Sequence, residues 1–189
     1  MPNTILLNDI EFEIGEDRLP CLVSYAPKQG GSHLTMVIVA NMFLQGSKVL
    51  ILTAYPMAKD KFHEQIGGDN ENVAFVTSEN EIEANKNKQA IILESGNEKL
   101  FEPALKTLED IGDRVILIKN IEQFGDQVIK LCQPFVKTIL SGDMNNCLGA
   151  KGLFEKGYFK SVINFDLPNL DKYQGFYRDA DQEGKISIL

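Results

Sequence analysis

The residues best suited to chemistry lie in a short turn between two apolar segments. The turn reads Ala26-Pro27-Lys28-Gln29-Gly30-Gly31-Ser32-His33. Glycines let the backbone approach a ligand closely. The N-terminus of the helix that is predicted to follow attracts anions even without a lysine. The turn is therefore a candidate anion-binding site, with candidate residues Ala26, Lys28, Gly30, Gly31, Ser32 and His33.

A second group of polar residues follows the predicted apolar strands. Glu94 comes after a strand over 90–93, Lys119 and Asn120 after a strand over 114–118, and Asp143 after a strand over 138–141. In open α/β sheets, ligands bind in the crevice outside the carboxyl ends of the strands. We therefore expect Glu94, Lys119, Asn120 and Asp143 to line a pocket that the turn faces.

The elements that position these residues alternate between short apolar strands and helical stretches. This order predicts an α/β fold with a mostly parallel sheet and helices on both faces. Helices are expected over 33–44, 100–108 and 127–135, and strands over 20–25, 48–53, 73–77, 90–94, 113–118, 137–141 and 160–165.

The chain shows no internal repeat and no linker that would divide it. We expect a single domain over residues 1–189, with an N-terminal strand arm over 1–19 and a C-terminal β-hairpin over 166–189. The turn of that hairpin, Asp179 to Gly184, is acidic.

The turn and its surroundings resemble the P-loop of RecA-like NTPases. Relative to G-P-x-x-G-G-K-S-H-L, the first glycine is replaced by Ala26 and the lysine is missing, while Ser32-His33-Leu34 matches the end of the motif. The resemblance extends over about residues 20–165. It includes a buried strand before the turn, a buried helix after it, and residues 45–50, which lead into the next strand.

The resemblance implies a degenerate member, a pseudo-NTPase without catalytic residues. In P-loop NTPases a lysine and a hydroxyl of the loop bind the phosphates and Mg²⁺, and an acid at a strand end orders the metal and the attacking water. No ungapped register places a lysine at the essential position, and Lys119 stands where the strand-end acid belongs. The resemblance therefore implies no cofactor, with ATP and Mg²⁺ disfavoured.

Several of these residues also have simpler explanations. Lys28 is either a replacement for the missing lysine or a solvated turn residue, and Ser32 is either a metal ligand or the N-cap of the helix. Lys119 is either a built-in cation, paired with Glu94 or Asp143, or an exposed lysine. The aromatic residues of the last segment either form a contact surface or pack the hairpin on the core; they are Tyr173, Phe176 and Tyr177.

Three functions from different classes follow. The first is an assembly or regulatory subunit of an oligomer, formed with itself or with an active paralogue. The second is a binding module for a nucleotide or another anion that is not hydrolysed. The third is an atypical ATPase that uses Lys28 and Glu94.

Composition narrows the choice of partners. The net charge is -8 and the three arginines are scattered, so direct nucleic-acid binding is disfavoured. No apolar run reaches the ~18 residues that span a bilayer, and the start of the chain carries no signal peptide, so we expect a cytoplasmic location. Cys21, Cys132 and Cys147 are far apart, so no metal site is expected.

Overall fold

The structure is a computed structural model that describes residues 4–7, 10–94, 98–127, 130, 137–168, 170 and 174–187. Two strands near the N-terminus, β1 (Thr4–Leu7) and β2 (Ile10–Glu13), form a separate antiparallel pair. The other described strands form one sheet of nine strands.

The strands of the main sheet are β3 (Cys21–Ser24), β4 (Val49–Thr53), β5 (Val73–Val76), β6 (Ala90–Glu94), β7 (Val115–Lys119), β8 (Thr138–Gly142), β9 (Ser161–Asn164), β10 (Gln174–Arg178) and β11 (Glu183–Ser187). Their order across the sheet is β11-β10-β9-β3-β8-β7-β4-β6-β5. Every neighbouring pair from β9 to β5 is parallel, whereas β10 and β11 are antiparallel. Strands β4, β6 and β7 are buried along their whole length, which explains why each is apolar up to its last residue.

Helices cover both faces of the sheet. The longer helices are α1 (Gly31–Leu44), α2 (Ala58–Ile66), α3 (Glu79–Asn85), α4 (Phe101–Thr107) and α5 (Leu148–Glu155). Helices α1 and α2 pack on one face, and α3, α4 and α5 pack on the other. Helix α1 also contacts α2, where the ring centroids of Phe43 and Phe62 lie 5.4 Å apart. Because α1 is covered by both the sheet and α2, it is apolar on nearly all sides.

The C-terminal hairpin belongs to the chain's own sheet. Its strand β10 pairs with β9, and Tyr177 is fully buried. The acidic turn is held by Arg18, whose Nη1 lies 3.3 Å from Asp179 Oδ2 and 2.6 Å from Asp181 Oδ2. Tyr177 therefore packs on the core, and the hairpin extends the sheet of its own chain.

The predicted fold class is confirmed: an α/β fold with a mostly parallel sheet, helices on both faces and a C-terminal hairpin. Sequence analysis missed α2 and α5, which are short and bury only two and three residues each. The helix expected over 127–135 and the residue Tyr173 lie largely or wholly outside the described residues. In the part of the chain that the structure describes, no helix is long and apolar enough to cross a membrane.

Candidate functional site

Polar side chains form a row across the carboxyl edge of the sheet. Lys119 at the end of β7 is the register partner of Ser141 in β8 and of Thr53 in β4, and Thr53 is in turn the partner of Glu94 in β6. Partners in adjacent parallel strands project to the same face. This row lies on the face of α1 and α2, because Leu117, which shares its side of β7 with Lys119, packs in the core cluster on that face.

The turn after β3 leads directly into α1. Lys28 has a φ of 72° and Gly30 a φ of 89°, so the chain reverses through two left-handed positions. The helix begins at Gly31, its N-cap is Gly30, and no side chain caps it. The expectation that Ser32 is the N-cap was wrong, since Ser32 already lies inside the first turn. An ungapped reading of the P-loop motif from Ala26 places Ser32 at the lysine position and His33 at the Ser/Thr position.

Tyr25 fills the space beneath this turn. A Cβ atom on Gly31 would lie 2.2 Å from Tyr25 Cδ1, so only glycine fits against the ring. The Tyr25 hydroxyl lies 3.1 Å from Ser141 Oγ, which is also 2.8 Å from Thr35 Oγ1 in α1. Burial raises the pKa of Tyr25. The tyrosine therefore remains a neutral link between the turn, α1 and β8.

The outer side of the turn is held by Asp166, which follows β9. The Ala26 N–H donates to Gln29 Oε1 at 2.6 Å and to Asp166 Oδ1 at 2.8 Å, and Ser24 Oγ donates to Asp166 Oδ2 at 3.2 Å. An open cleft of ≈ 550 Å³ lies beside this contact, and Lys28 and Asp166 are among its lining residues. Sequence analysis missed Asp166, because only the parallel pairing of β3 and β9 brings it to the turn.

Lys119 is a buried cation. Its residue is 6% exposed, no described residue forms a hydrogen bond or ion pair with its Nζ, and the Nζ atom itself keeps contact with solvent. Burial, with a further contribution from the positive charge of Lys61, lowers the pKa of Lys119 to about 8, against the opposing effects of Glu94 and Glu122. Lys119 is thus neither an exposed lysine nor the partner of Glu94 or Asp143.

Glu94 is buried, and its carboxylate caps the start of α2. Its carboxylate accepts the N–H of Met57 at 3.1 Å and that of Lys59 at 2.5 Å, at the N-terminus of α2. Strand β6 is four positions from β3 in the sheet, a separation of ~19 Å at ~4.8 Å per strand. The structure therefore does not bring Glu94 together with Lys28, as the atypical-ATPase hypothesis requires.

The remaining candidates lie near the ends of β7 and β8. Asn120 has a φ of 62° and accepts a hydrogen bond from Thr53 Oγ1 at 3.0 Å. Asp143 accepts from the backbone N–H groups of the short helix that follows it. Its own N–H donates to Glu122 Oε2 at 3.0 Å. Glu122 was missed as a site residue; its only signal in the sequence is its place three residues after Lys119.

Across the described ranges, no cluster of three or more histidine, cysteine or acidic side chains has an arrangement that could hold a metal ion. Lys28 and His33 are both exposed, on the turn and in the first turn of α1. Lys119, Ser141 and the start of α1 lie at the same edge of the sheet.

Comparison with known proteins gives a likeness in structure only. No family model matches the chain, and no curated protein matches it. Solved structures of the genome packaging NTPase B204 from Sulfolobus turreted icosahedral virus 2 do match. The complex with AMPPCP has a TM-score of 0.62 at 15% identity, and the complex with AMP has 0.61 at 14%. Each alignment covers 93% of this chain and 100% of that chain.

The chain has a P-loop NTPase-like fold. The unit β3–turn–α1 is the strand–turn–helix that sequence analysis compared with a P-loop. Strand β7 reaches the same edge of the sheet, separated from β3 only by β8. Lys119 and the turn thus lie at one edge of one sheet, and a pocket that both line stays a prediction.

Proposed function

We propose that this chain is a P-loop NTPase-like domain that does not hydrolyse nucleotides and acts as an assembly or regulatory subunit of an oligomeric complex. One observation carries the proposal: a lysine, Lys119, which is only 6% exposed, stands at the end of β7. Hydrolysing members of this fold hold Mg²⁺ there with a carboxylate.

A cation at this position opposes magnesium chemistry. A divalent ion ~5 Å from an ammonium is repelled by roughly 7 kcal/mol at an effective dielectric constant of ~20. Two nearby carboxylates are already hydrogen-bonded, since Glu94 accepts N–H groups at the N-terminus of α2 and Glu122 accepts the Asp143 N–H. These contacts disfavour the use of either carboxylate as a metal ligand.

The turn supports the same conclusion. The turn has no lysine at the position of the P-loop lysine, and Lys28 is an exposed residue of the turn. Loss of a group that stabilises transition-state charge typically costs several kcal/mol. Two residues that hydrolysis needs are therefore replaced, one in the turn and one at the end of β7. Two such replacements favour a domain that keeps only the fold over an enzyme in which a single residue has changed.

The proposed assembly role follows from the parts of the fold that this chain retains. The sheet, both helical layers and the turn are intact, while the groups for hydrolysis are absent. The similar B204 protein is a genome packaging NTPase; for the acidic chain described here, with a net charge of -8, we propose protein partners rather than nucleic acid. The partner is a second copy of this chain or an active paralogue.

Two measurements test the proposal. In the first, ATP and GTP turnover is measured with Mg²⁺ on the wild type and on Glu122→Gln, which removes the carboxylate that accepts the Asp143 N–H. We expect no turnover above background in either. A rate near ~1 s⁻¹ that Glu122→Gln abolishes would refute the loss of hydrolysis.

In the second, sedimentation velocity is run over a wide concentration range, with affinity capture from the source cells in parallel. The assembly role predicts a defined oligomer, or recovery of a second P-loop protein at constant stoichiometry. A monomer at every concentration that recovers no partner would exclude the assembly role, whatever the hydrolysis assay shows.

A second candidate function is the binding of an anion without hydrolysis. It is favoured by the absence of a partner for the Lys119 ammonium among the described residues.

A further inference from the structure

We propose that strand β5 docks a basic, extended segment of a partner protein, which pairs with it as an added strand. This surface lies at the edge of the main sheet opposite the C-terminal hairpin, five strand positions from β3. The inference rests on the assembly role proposed above, and it gives that role a docking surface and a class of partner.

Strand β5 forms one edge of the main sheet. Its only partner among the described strands is β6. At the opposite edge, β11 contacts β2 of the N-terminal pair, whereas no described strand lies on the outer side of β5. An unpaired edge is a template on which another strand can form main-chain hydrogen bonds.

Hydrogen bonds at the start of β5 show which of its backbone groups face outward. The Ala90 N–H of β6 donates to the Asn72 carbonyl at 3.0 Å. Backbone groups of alternate residues in a strand point to the same side. The N–H and carbonyl of Ala74 therefore face β6, and those of Val73 and Phe75 face outward.

Some of the outward groups are already bonded within the chain. The Val73 N–H donates to the Asn70 carbonyl at 3.0 Å, and the Thr77 N–H donates to Glu81 Oε2 at 2.7 Å. The Phe75 N–H and the carbonyls of Val73 and Phe75 have no hydrogen-bond partner among the described residues. These three groups are the ones that an added strand would meet.

An open cleft of ≈ 470 Å³ lies between α2 and β5. Its lining includes Lys59, His63, Val73 and the exposed Phe75, and Lys59 Nζ lies 5.5 Å from the centre of the Phe75 ring. Alternate side chains of a strand project to one face of the sheet. An apolar side chain of the added strand can therefore enter this cleft beside Phe75.

The charge around β5 favours a basic segment. Residues 64–85 contain no lysine or arginine. Their six acidic residues are all exposed: Glu64, Asp69, Glu71, Glu79, Glu81 and Glu83. The lysines nearby are Lys59, Lys86, which pairs with Glu83, and Lys88, whose Nζ donates to the Glu71 carbonyl. Six carboxylates thus face three ammonium groups, and positive side chains on the added strand would offset the excess.

The same charge disfavours a second β5 as the occupant. Two β5 edges side by side would bring their acidic residues together, and like charges opposite each other in paired strands are destabilising. The occupant is therefore a basic segment of a different protein.

The first test is isothermal titration calorimetry at pH 7 with a short probe peptide in which lysine and valine alternate. One control peptide has the same composition with its lysines and valines in separate blocks, and another has glutamate in place of lysine. We expect binding of the alternating lysine peptide and much weaker binding of both controls. Failure of that peptide to bind would overturn the inference, as would equal binding of either control.

Substitutions at Phe75 separate the main-chain contribution from that of the ring. Phe75→Ala and Phe75→Pro both remove the ring, but only proline removes the outward N–H, and an edge strand tolerates proline at such a position. Phe75→Pro should bind the peptide about fivefold more weakly than Phe75→Ala, the effect of one hydrogen bond. Equal binding by the two variants would overturn strand addition.

A second pair of variants tests the charge. Replacing both Glu71 and Glu79 by glutamine should weaken binding about threefold at low salt, whereas Glu155→Gln, at an exposed position of α5, should leave it unchanged. An equal effect of the two changes would refute the role of the acidic edge.

Amide hydrogen exchange of the wild type needs no substitution. The Phe75 N–H should exchange faster than the N–H of Ala74, which faces β6, and the alternating lysine peptide should slow it. A peptide that binds without slowing exchange at Phe75 would show that it binds elsewhere and would overturn the inference.

Failure of this inference can be told apart from failure of the assembly role. If affinity capture recovers a second P-loop protein with the wild type and equally with Phe75→Pro, the assembly role stands and β5 is not its surface. If the wild type forms no oligomer and recovers no partner, the assembly role itself fails, whatever the peptide measurements show.

Discussion

Replacing Lys119 by methionine should make the protein more stable. The substitution keeps a long, unbranched side chain in the space beside Ser141 and Thr53 and removes a buried charge without a described partner. For most buried polar residues the opposite result is expected, because a hydrogen bond is lost.

The size of the gain follows from the pKa of Lys119. Burial lowers this pKa from 10.5 to about 8, so the folded protein holds the proton less tightly than the unfolded chain does. The gap corresponds to about 3 kcal/mol at ~1.4 kcal/mol per pH unit. This cost is fully present below pH 8, is relieved as the pH rises from about 8, and is gone above 10.5.

The assay is urea unfolding at pH 6, 7, 8 and 9, without phosphate in the buffer. At pH 7 the midpoint of Lys119→Met should exceed that of the wild type by roughly 1–2 M, for a slope of ~2 kcal/mol per M. The difference should shrink at pH 9, because the wild type has then lost part of its penalty. Lys151→Met, at an exposed site, should match the wild type at each pH.

A Lys119→Met protein that is less stable than the wild type at pH 7 would refute this reasoning. It would mean that the ammonium is paired in the folded protein, and the basis for an anion site would go with it. A difference that does not depend on pH would show that packing, rather than charge, sets the effect.

Two further predictions concern the turn and the rival acid. Gly31→Ala should lower the free energy of unfolding by about 1–3 kcal/mol, because its Cβ would lie 2.2 Å from the Tyr25 ring. In a Tyr25→Ala background the same substitution should cost much less. Additive effects of the two substitutions in this double-mutant cycle would contradict the packing described. Glu94→Gln should lower the free energy of unfolding by about 1 kcal/mol through the weaker cap on α2, and it should not affect nucleotide turnover. The control Glu64→Gln, in α2 itself, should leave the urea midpoint unchanged. A turnover that disappears in Glu94→Gln would restore the atypical-ATPase hypothesis.

Much of the fold was predictable because its signals are local. Continuous apolar runs such as 49–53 and 115–118 can be covered on both sides only within a parallel sheet, and the all-round apolar stretch of α1 can only be a buried helix. The turn between β3 and α1 was also visible, since its proline and glycines interrupt two such runs. Short helices with few buried residues, such as α2 and α5, carry no comparable signal.

The candidate site was predictable in its residues but not in its geometry. The sequence shows that Lys119 ends an apolar run typical of a buried strand. It also shows that the turn has no lysine at the motif position. Which strand ends meet depends on the order of strands in the sheet, and the chain order does not determine it. Glu94 comes before Lys119 in the chain but lies farther from the turn, because β6 pairs on the far side of β4.

The sequence by itself determined that the chain is α/β, that it has a turn resembling a P-loop, and that a lysine replaces the acid at a strand end. These features can be read from sequence because the spacing of apolar residues, the positions of glycines and the type of each residue are local properties. Only the tertiary structure decided that Lys119 is buried without a described partner, that Glu94 serves the N-terminus of α2, and that Asp166 holds the turn. Burial and pairing arise from contacts between distant segments, such as the one between Ala26 and Asp166, which are 140 residues apart. Those contacts exist only once the parallel strands have taken their places in the sheet.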